Sequence, residues 1–522
     1  MSMVSLADRA AEDGDRELIY WPDSGASTSR LDLHLAAMRW AGLLSEHGVQ
    51  RGDRVMLALG NSIEFLGAHY GTQYLGAISV PVNTELRGES LRHPLALFEP
   101  RVIVADDDLS AVFESALDTV DATSAMIVVP ANGMTRRLES LAPLAPVTVS
   151  ATDACLIMST SGTTGPSKGS VWDYGTVQQW ARGYTRHLAY TDADRIYCCT
   201  PLFHANSLIS GLATALHSGG AVVLGERFSV SNFWRTVVDG RATSMNLIGS
   251  MIDLLLRAES ADGAELRKSG QLRTLLASSC SASSYIEVQR LWGVTPISAY
   301  GLTDFGTVAM TKFGELAPPG TVGRAVDEFE IKLVDESGAA VPTGVPGEVV
   351  IRPRIPSIAP QGYFRMPEAT LESRRDLWFH TGDLLRMDGD GWLYFAGRVK
   401  DSMRRRGENV SAFEVESAAM TFPQLTEVAA YAVPSADSED EIAVAIVLSG
   451  AVGEFDYVAF IEHVSAELPY FAVPRYVRIV EQLPKTPTQK VQKKPLEQDG
   501  VTPDTWDRVV SLGEVARNRR RR

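Results

Sequence analysis

Along the first 400 residues the apolar positions fall in short, almost unbroken runs set apart by stretches of helical spacing. RVMLAL at 54–59, ISVPV at 78–82, VIVAD at 102–106 and MIVVP at 126–130 are such runs, and IEFLGAHYGTQYLG at 63–76 has the period of a helix. Runs that do not alternate with polar residues predict strands covered on both faces, and their alternation with helices predicts βαβ units on a largely parallel sheet. From about residue 320 to 397 the text becomes short strands and turns, including EFEIKLVDESGAAVPTGVPGEVVIRP, which predicts antiparallel hairpins or a small barrel-like part. A charge run, GRVKDSMRRRGEN at 397–409, follows. Beyond it EVAAYAV, IAVAIVLS, the helix FDYVAFIEHVSAEL and RYVRIVEQLP form a compact α+β pattern. The chain therefore reads as α/β, with a large N-terminal body at 1–398, a hinge near Lys400 and a C-terminal domain at 399–522, an ordinary size for a small domain.

Composition narrows what such a body can do. With 522 residues, 45% hydrophobic and 22% charged, the chain has the make-up of a soluble globular protein of about three structural units. A net charge of -15 sets the surface against nucleic acid and anionic membranes, so an anion site must be a local feature for a small ligand. No apolar run approaches the ~18 residues of a membrane span, and MSMVSLADRAAEDGDR lacks the apolar core of a signal peptide. The four cysteines lack metal-ligand spacing, and the adjacent Cys198 and Cys199 cannot make an ordinary bridge, so a reducing cytoplasm is expected. The terminal RNRRRR reads as a solvated tail; a homodimer is left open.

Candidate chemistry begins at STSGTTGPSKGS, 159–170, which follows the apolar Leu156-Ile157-Met158 and precedes a helix-like segment from about Val177 to His187. Strand, Gly/Ser/Thr loop and helix form a context in which backbone N–H groups cradle phosphate oxygens, and Pro166 makes the loop stiffer than a linker. A Walker A loop needs Gly-Lys-Ser/Thr, whereas Lys168 here lies between Ser167 and Gly169, which disfavours an ordinary P-loop NTPase. Taken alone, His204 after PLF reads as a packed histidine, and Asp383 in HTGD as a turn carboxylate. Arg404 to Arg406 reads equally as a solvated face or as a contact for phosphates.

Read in order, STSGTTGPSKG, PLFH (201–204), YGLTD (300–304), the turn Gly320 to Arg324, WFHTGD (378–383), GRVKD (397–401), RRGENVSAFEVE (405–416) and LPKTPTQK (483–490) resemble the adenylate-forming superfamily of acyl-CoA synthetases, adenylation domains and luciferases. RRRGENVSAFEVE and the FHANSL context most resemble its crotonobetaine/carnitine-CoA ligase-like branch. The resemblance implies that Ser161, Gly162, Thr163, Thr164 and Gly165 hold the β and γ phosphates of ATP, with Lys168 supporting the loop. It implies Thr303 at the α-phosphate, and Asp304 in place of the family's magnesium-ligating glutamate, one methylene shorter, with a water completing the coordination of Mg2+. Asp383 and Arg398 resemble the pair that grips the ribose. Tyr300 and the backbone around Ser278 to Ala282 resemble the adenine contacts, and His204 resembles the gate of the acyl pocket. Among Lys485, Lys490, Lys493 and Lys494, the pattern aligns the catalytic lysine with Lys490, although Gln489 stands where the family has glycine. Gly407 aligns with the tunnel for the pantetheine arm of CoA.

Such parts are needed together because a carboxylate is a poor electrophile. ATP converts it to an acyl-adenylate with loss of pyrophosphate, which requires phosphate donors, a metal and a cation at the α-phosphate. The resemblance thus implies an AMP-forming ligase acting on a small-molecule carboxylic acid, with CoA as acceptor. An amine, a carrier-protein thiol and nitrite remain alternative acceptors. Rotation of the C-terminal domain about Lys400 would withdraw Lys490 after adenylation and admit the acceptor. FHANSLISG, MNLIGSMIDLLL, SSCSASSY and GLTDFGTVAM mix small, polar and apolar residues, which favours a small or medium, functionalised acid over a long fatty acid.

Overall fold

The computed structural model describes the chain except residues 1–4, 121–123, 161–166, 259–270, 279, 406–407, 435–439, 451–454, 471, 487–489 and 513–522. Among the described residues the N-terminal body contains a six-stranded, a nine-stranded and a five-stranded sheet. In the six-stranded sheet Arg54–Ala58, Ile78–Pro81, Val102–Asp106, Ala125–Val129 and Ala154–Ser159 run parallel, and Gly169–Asp173 closes the edge antiparallel to Ala154–Ser159. These strands are the apolar runs of the sequence. Helix Ile63–Tyr74 crosses between the first two, as its periodicity predicts. In the nine-stranded sheet the central strands Pro296–Leu302, Thr274–Ser278, Ser244–Ile248, Arg195–Cys198, Ala221–Leu224 and Glu17–Trp21 pair in parallel, with antiparallel strands at both edges.

The third sheet meets the antiparallel expectation without closing into a ring among the described residues: Phe329–Val334 pairs with Gly347–Pro353, which pairs with Trp378–Met387, which pairs with Leu393–Arg398. Beyond it the charge run forms a short hairpin, Ser402–Arg405 against Glu408–Ser411. A four-stranded sheet led by Leu425–Pro434 and Asp440–Leu448 follows, with helix Tyr457–Glu467 near its face. Among the described residues no buried apolar cluster draws members from both sides of Lys400: those of the body end at Leu393, and those beyond begin at Met403. Contacts across this line include Phe395 against Phe413 and the Ser411 hydroxyl donating to the Ala396 carbonyl at 2.6 Å.

Two expectations are corrected. The strand–loop–helix context is interrupted: a strand, Gly169–Asp173, antiparallel to Ala154–Ser159, lies between the Gly/Ser/Thr loop and the expected helix. Helix Tyr174–His187 starts only afterwards, and its first turn is capped by the Asp173 carboxylate, which accepts from the Thr176 N–H at 2.7 Å. The Tyr174 and Gly175 N–H groups donate to the Asp153 and Ala151 carbonyls, so the first three N–H groups of this helix are taken. The second correction concerns the arginine run, which is not wholly a solvated face. Arg405 is buried, pairs with Glu441 at 2.6 Å and donates to the Val473 carbonyl at 2.9 Å.

Candidate active site

Asp383 and Arg398 lie directly opposite each other across Trp378–Met387 and Leu393–Arg398. That register brings the Arg398 Nε to 3.1 Å from Asp383 Oδ1, while the Tyr300 hydroxyl, from the parallel sheet, donates to Oδ2 at 2.8 Å. The carboxylate is buried at 4% exposure, and each oxygen keeps a second lone pair for a further donor. Burial pushes the Asp383 carboxyl up from its ordinary value, against the pull of Arg398 and the Tyr300 hydroxyl. Its backbone is set by the Thr381 hydroxyl, which accepts from the Asp383 N–H at 3.0 Å and donates to the Val349 carbonyl at 2.8 Å.

Thr303 and Asp304 occupy the tight turn between Pro296–Leu302 and Gly306–Met310, closed by the Phe305 N–H donating to the Leu302 carbonyl at 3.1 Å. Asp304 Oδ2 accepts from the Tyr363 hydroxyl at 2.8 Å, and Oδ1 is buried with no hydrogen-bond partner among the described residues. Burial raises this carboxyl too, opposed by the Tyr363 hydrogen bond and by the charges of Lys168 and Lys490. Lys168 holds its ammonium 4.6 Å over the Tyr363 ring, and its N–H donates to Thr160 Oγ1 at 3.1 Å. Tyr363 is the member of this group that motif reading misses; a lone tyrosine in QGYF at 361–364 was its faint signal.

A buried carboxylate oxygen without a donor among the described residues fits a divalent cation that takes its other oxygens from phosphates and water. No cluster of three or more histidine, cysteine, aspartate or glutamate ligands exists among the described residues, so an all-protein metal cage is not what these side chains build.

From the far end of the chain Lys490 enters the same electrostatic group. Its N–H donates to Thr486 Oγ1 at 3.1 Å, and its carbonyl accepts from the Thr486 N–H at 2.7 Å, so two hydrogen bonds hold Lys490 to Thr486. Desolvation and then Arg398 lower the ammonium from its ordinary pKa, while Asp383 and Asp304 act in the opposite direction; the residue as a whole is exposed. The other candidate lysines are placed elsewhere: Lys485 pairs with Glu427 at 2.8 Å, Lys493 with Glu416 at 2.7 Å, and Lys494 faces solvent.

His204 precedes a π-helical segment, Asn206–Ala213, and its ring lies 4.4 Å from that of Phe203. Burial, and then the charge of Lys490, lowers the imidazole to about 4, so it is neutral at pH 7. Around Ser278 to Ala282, strand Thr274–Ser278 ends and Ser281 caps helix Ala282–Trp292 by accepting from the Ser284 N–H at 3.1 Å. Ser161, Gly162, Thr163, Thr164, Gly165 and Gly407 lie outside the described residues. Contacts and electrostatic coupling link Tyr300, Asp383, Arg398, Asp304, Lys168, Lys490 and His204 in one chain, and Thr303 precedes Asp304 in the same turn.

Comparison with known proteins identifies the family. The AMP-binding enzyme model matches residues 6–363, and the AMP-binding enzyme C-terminal domain model matches residues 414–490. The medium/long-chain-fatty-acid–CoA ligase FadD6 of Mycobacterium tuberculosis is 30% identical, over 97% of this chain and 87% of its own. The sulfoacetate–CoA ligase of Cupriavidus necator is 28% identical, over 94% and 96%. Among solved structures, ATP-bound MatB from Rhodopseudomonas palustris matches with a TM-score of 0.86 at 25% identity, over 95% of this chain and 99% of that one. No helix among the described residues is long and apolar enough to cross a membrane. With its body and its C-terminal part each matched, the chain belongs to the AMP-binding enzyme family, among the AMP-forming acid–CoA ligases.

Proposed function

We propose that this site activates a small or medium, functionalised carboxylic acid as its acyl-adenylate and hands the acyl group to CoA. In the first step an acid oxygen attacks the α-phosphorus of ATP, the bond to the β-phosphate oxygen breaks, and pyrophosphate leaves. Asp383 accepts from the ribose hydroxyls with its free lone pairs, and Arg398 holds it in place. Thr303 donates to the α-phosphate, Lys490 supplies positive charge where negative charge develops, and residues 161–165 with Lys168 hold the terminal phosphates. When bound at Asp304 Oδ1, Mg2+ neutralises phosphate charge. His204, neutral and packed on Phe203, borders the acid.

In the second step the sulfur of CoA attacks the acyl carbon, AMP leaves, and the thiol proton passes to solvent. Lys490 must first withdraw, so 399–522 acts as a mobile unit on the body at 1–398, the tunnel passes Gly407, and the hinge is Lys400. The separate apolar clusters on either side of that residue support this reading. The choice of acid rests on the region around His204, where Asn246 is fully buried, directs its amide toward the Asn206 carbonyl at 3.5 Å and leaves Oδ1 without a partner among the described residues. That oxygen suits a hydroxyl or amino group on the acid. Cytoplasmic location is part of the proposal and accords with four unbridged cysteines.

The observation that carries the reading is the arrival of Lys490, 92 residues past Arg398 in the numbering, in the same electrostatic group as Asp383, Asp304 and Arg398. The test is pyrophosphate release over an acid panel, with CoA, amines and nitrite offered separately. Release that depends on acid, with CoA consumed, is the expected result. Adenylation with no use of CoA overturns the acceptor, and no release with any acid overturns the function.

A further inference from the structure

We infer that Tyr363 is a positioning residue for adenylation: its hydroxyl clamps Asp304 so that the shorter carboxylate presents Oδ1 to the cation on the ATP phosphates. This rests on the proposal that Asp304 takes Mg2+. An aspartate ends one methylene nearer the backbone than the glutamate usual in the family, so it must be aimed well to serve, and its free rotation is what a clamp removes. The clamp is visible in the 2.8 Å hydrogen bond to Oδ2, which leaves Oδ1 buried and without a partner among the described residues.

Tyr363 is itself held from several sides. Residues 361–364 run along strand Gly169–Asp173: the Gln361 N–H donates to the Val171 carbonyl, the Val171 N–H to the Gly362 carbonyl, and the Phe364 N–H to the Gly169 carbonyl, at 2.8, 2.9 and 2.8 Å. The Tyr363 N–H donates to Thr370 Oγ1 at 2.9 Å. Gly362, at φ +133° and with a Cβ position only 2.6 Å from Thr370 Cγ2, lets the chain approach that closely. The same strand leads back to Lys168, whose ammonium lies 4.6 Å over the Tyr363 ring. One side chain thus ties Lys168 to the carboxylate of the opposite turn.

The experiment compares wild type, Tyr363→Phe and Asp304→Asn by calorimetric binding of ATP, once with Mg2+ and once with EDTA. Tyr363→Phe keeps the ring under Lys168 and removes the hydroxyl alone. Losing a hydrogen bond to a charged group predicts that the gain in ATP affinity given by Mg2+ falls about tenfold in Tyr363→Phe, while binding in EDTA and thermal stability stay near wild type. An unchanged gain in Tyr363→Phe, with the gain lost in Asp304→Asn, overturns the clamp and leaves the metal assignment standing. An unchanged gain in Asp304→Asn overturns the metal assignment itself. Equal loss of binding with and without Mg2+ in Tyr363→Phe assigns the residue to structure alone and also overturns the clamp.

Discussion

Lys485, Lys490, Lys493 and Lys494 carry the same charge, and what separates them is what each already touches. Lys485 and Lys493 are engaged by Glu427 and Glu416, whereas the Lys490 ammonium shares its surroundings with Asp383, Asp304 and Arg398. If it stabilises charge at the α-phosphate, Lys490→Ala removes a contact of ~3 kcal/mol and slows adenylation about a hundredfold, measured as ATP/pyrophosphate exchange. Transfer from a supplied acyl-adenylate then persists in that variant. His204 gives a second prediction at this scale. Its folded-state pKa of about 4 lies below the ordinary 6.5, so the ring binds its proton only as the pH falls toward 4, and burial and Lys490 both oppose the charge. His204→Asn therefore lowers activity without changing the shape of the rate profile between pH 6 and 8; a new or lost inflection in that range would show acid–base work. Asp383, Arg398 and Lys490 were legible in the sequence because each lies in a motif whose neighbours are fixed. Tyr363 was not, since its meaning comes from Asp304, 59 residues away on another element.

Elements were legible where the pattern was local. The apolar runs became strands because a stretch without polar alternation has no face to offer water. The strand Gly169–Asp173 escaped because SVWD, after a glycine-rich loop, carries its signal in pairing with Ala154–Ser159 and not in its own period. Arg405 escaped for a similar reason: a charged residue inside a basic run reads as exposed until Glu441, from a strand further along, meets it. The turn from Gly320 to Arg324 shows how tightly an element can depend on one residue. Gly323 has φ +98°, and a Cβ there falls 2.1 Å from the Met310 carbonyl carbon, while its N–H donates to Thr321 Oγ1 at 3.0 Å. Backbone cannot yield as a flexible side chain does. Gly323→Ala combines a left-handed penalty with overpacking and should destabilise by roughly 2–5 kcal/mol, read from urea unfolding. A loss below 0.5 kcal/mol would mean that the turn relaxes elsewhere.

At the scale of the whole molecule the question is whether one active site serves two reactions by moving Lys490 out of it. Lys400 lies in the short 3₁₀ turn Val399–Asp401, between the body's last strand and the hairpin that opens the C-terminal part. Proline fixes φ near -65°, which a 3₁₀ turn already uses, and N–H groups in a first turn have no partner within the helix. Lys400→Pro is thus compatible with the arrangement in which Lys490 meets Asp383, and ATP/pyrophosphate exchange should stay within about threefold of wild type, a cost below 1 kcal/mol. What proline forbids is a different φ at that residue. If the C-terminal part turns about Lys400 before the acceptor enters, thioester formation falls at least tenfold in the same variant. Gly407→Leu supplies the complementary test, because a side chain in the proposed tunnel blocks a pantetheine arm and leaves adenylation alone. Loss of thioester formation in both variants, with exchange retained in both, fits rotation and a CoA acceptor together. Loss in Lys400→Pro with tolerance of Gly407→Leu points to a small nucleophile that needs no tunnel. Full CoA-ligase turnover in Lys400→Pro would place the moving joint elsewhere in the chain.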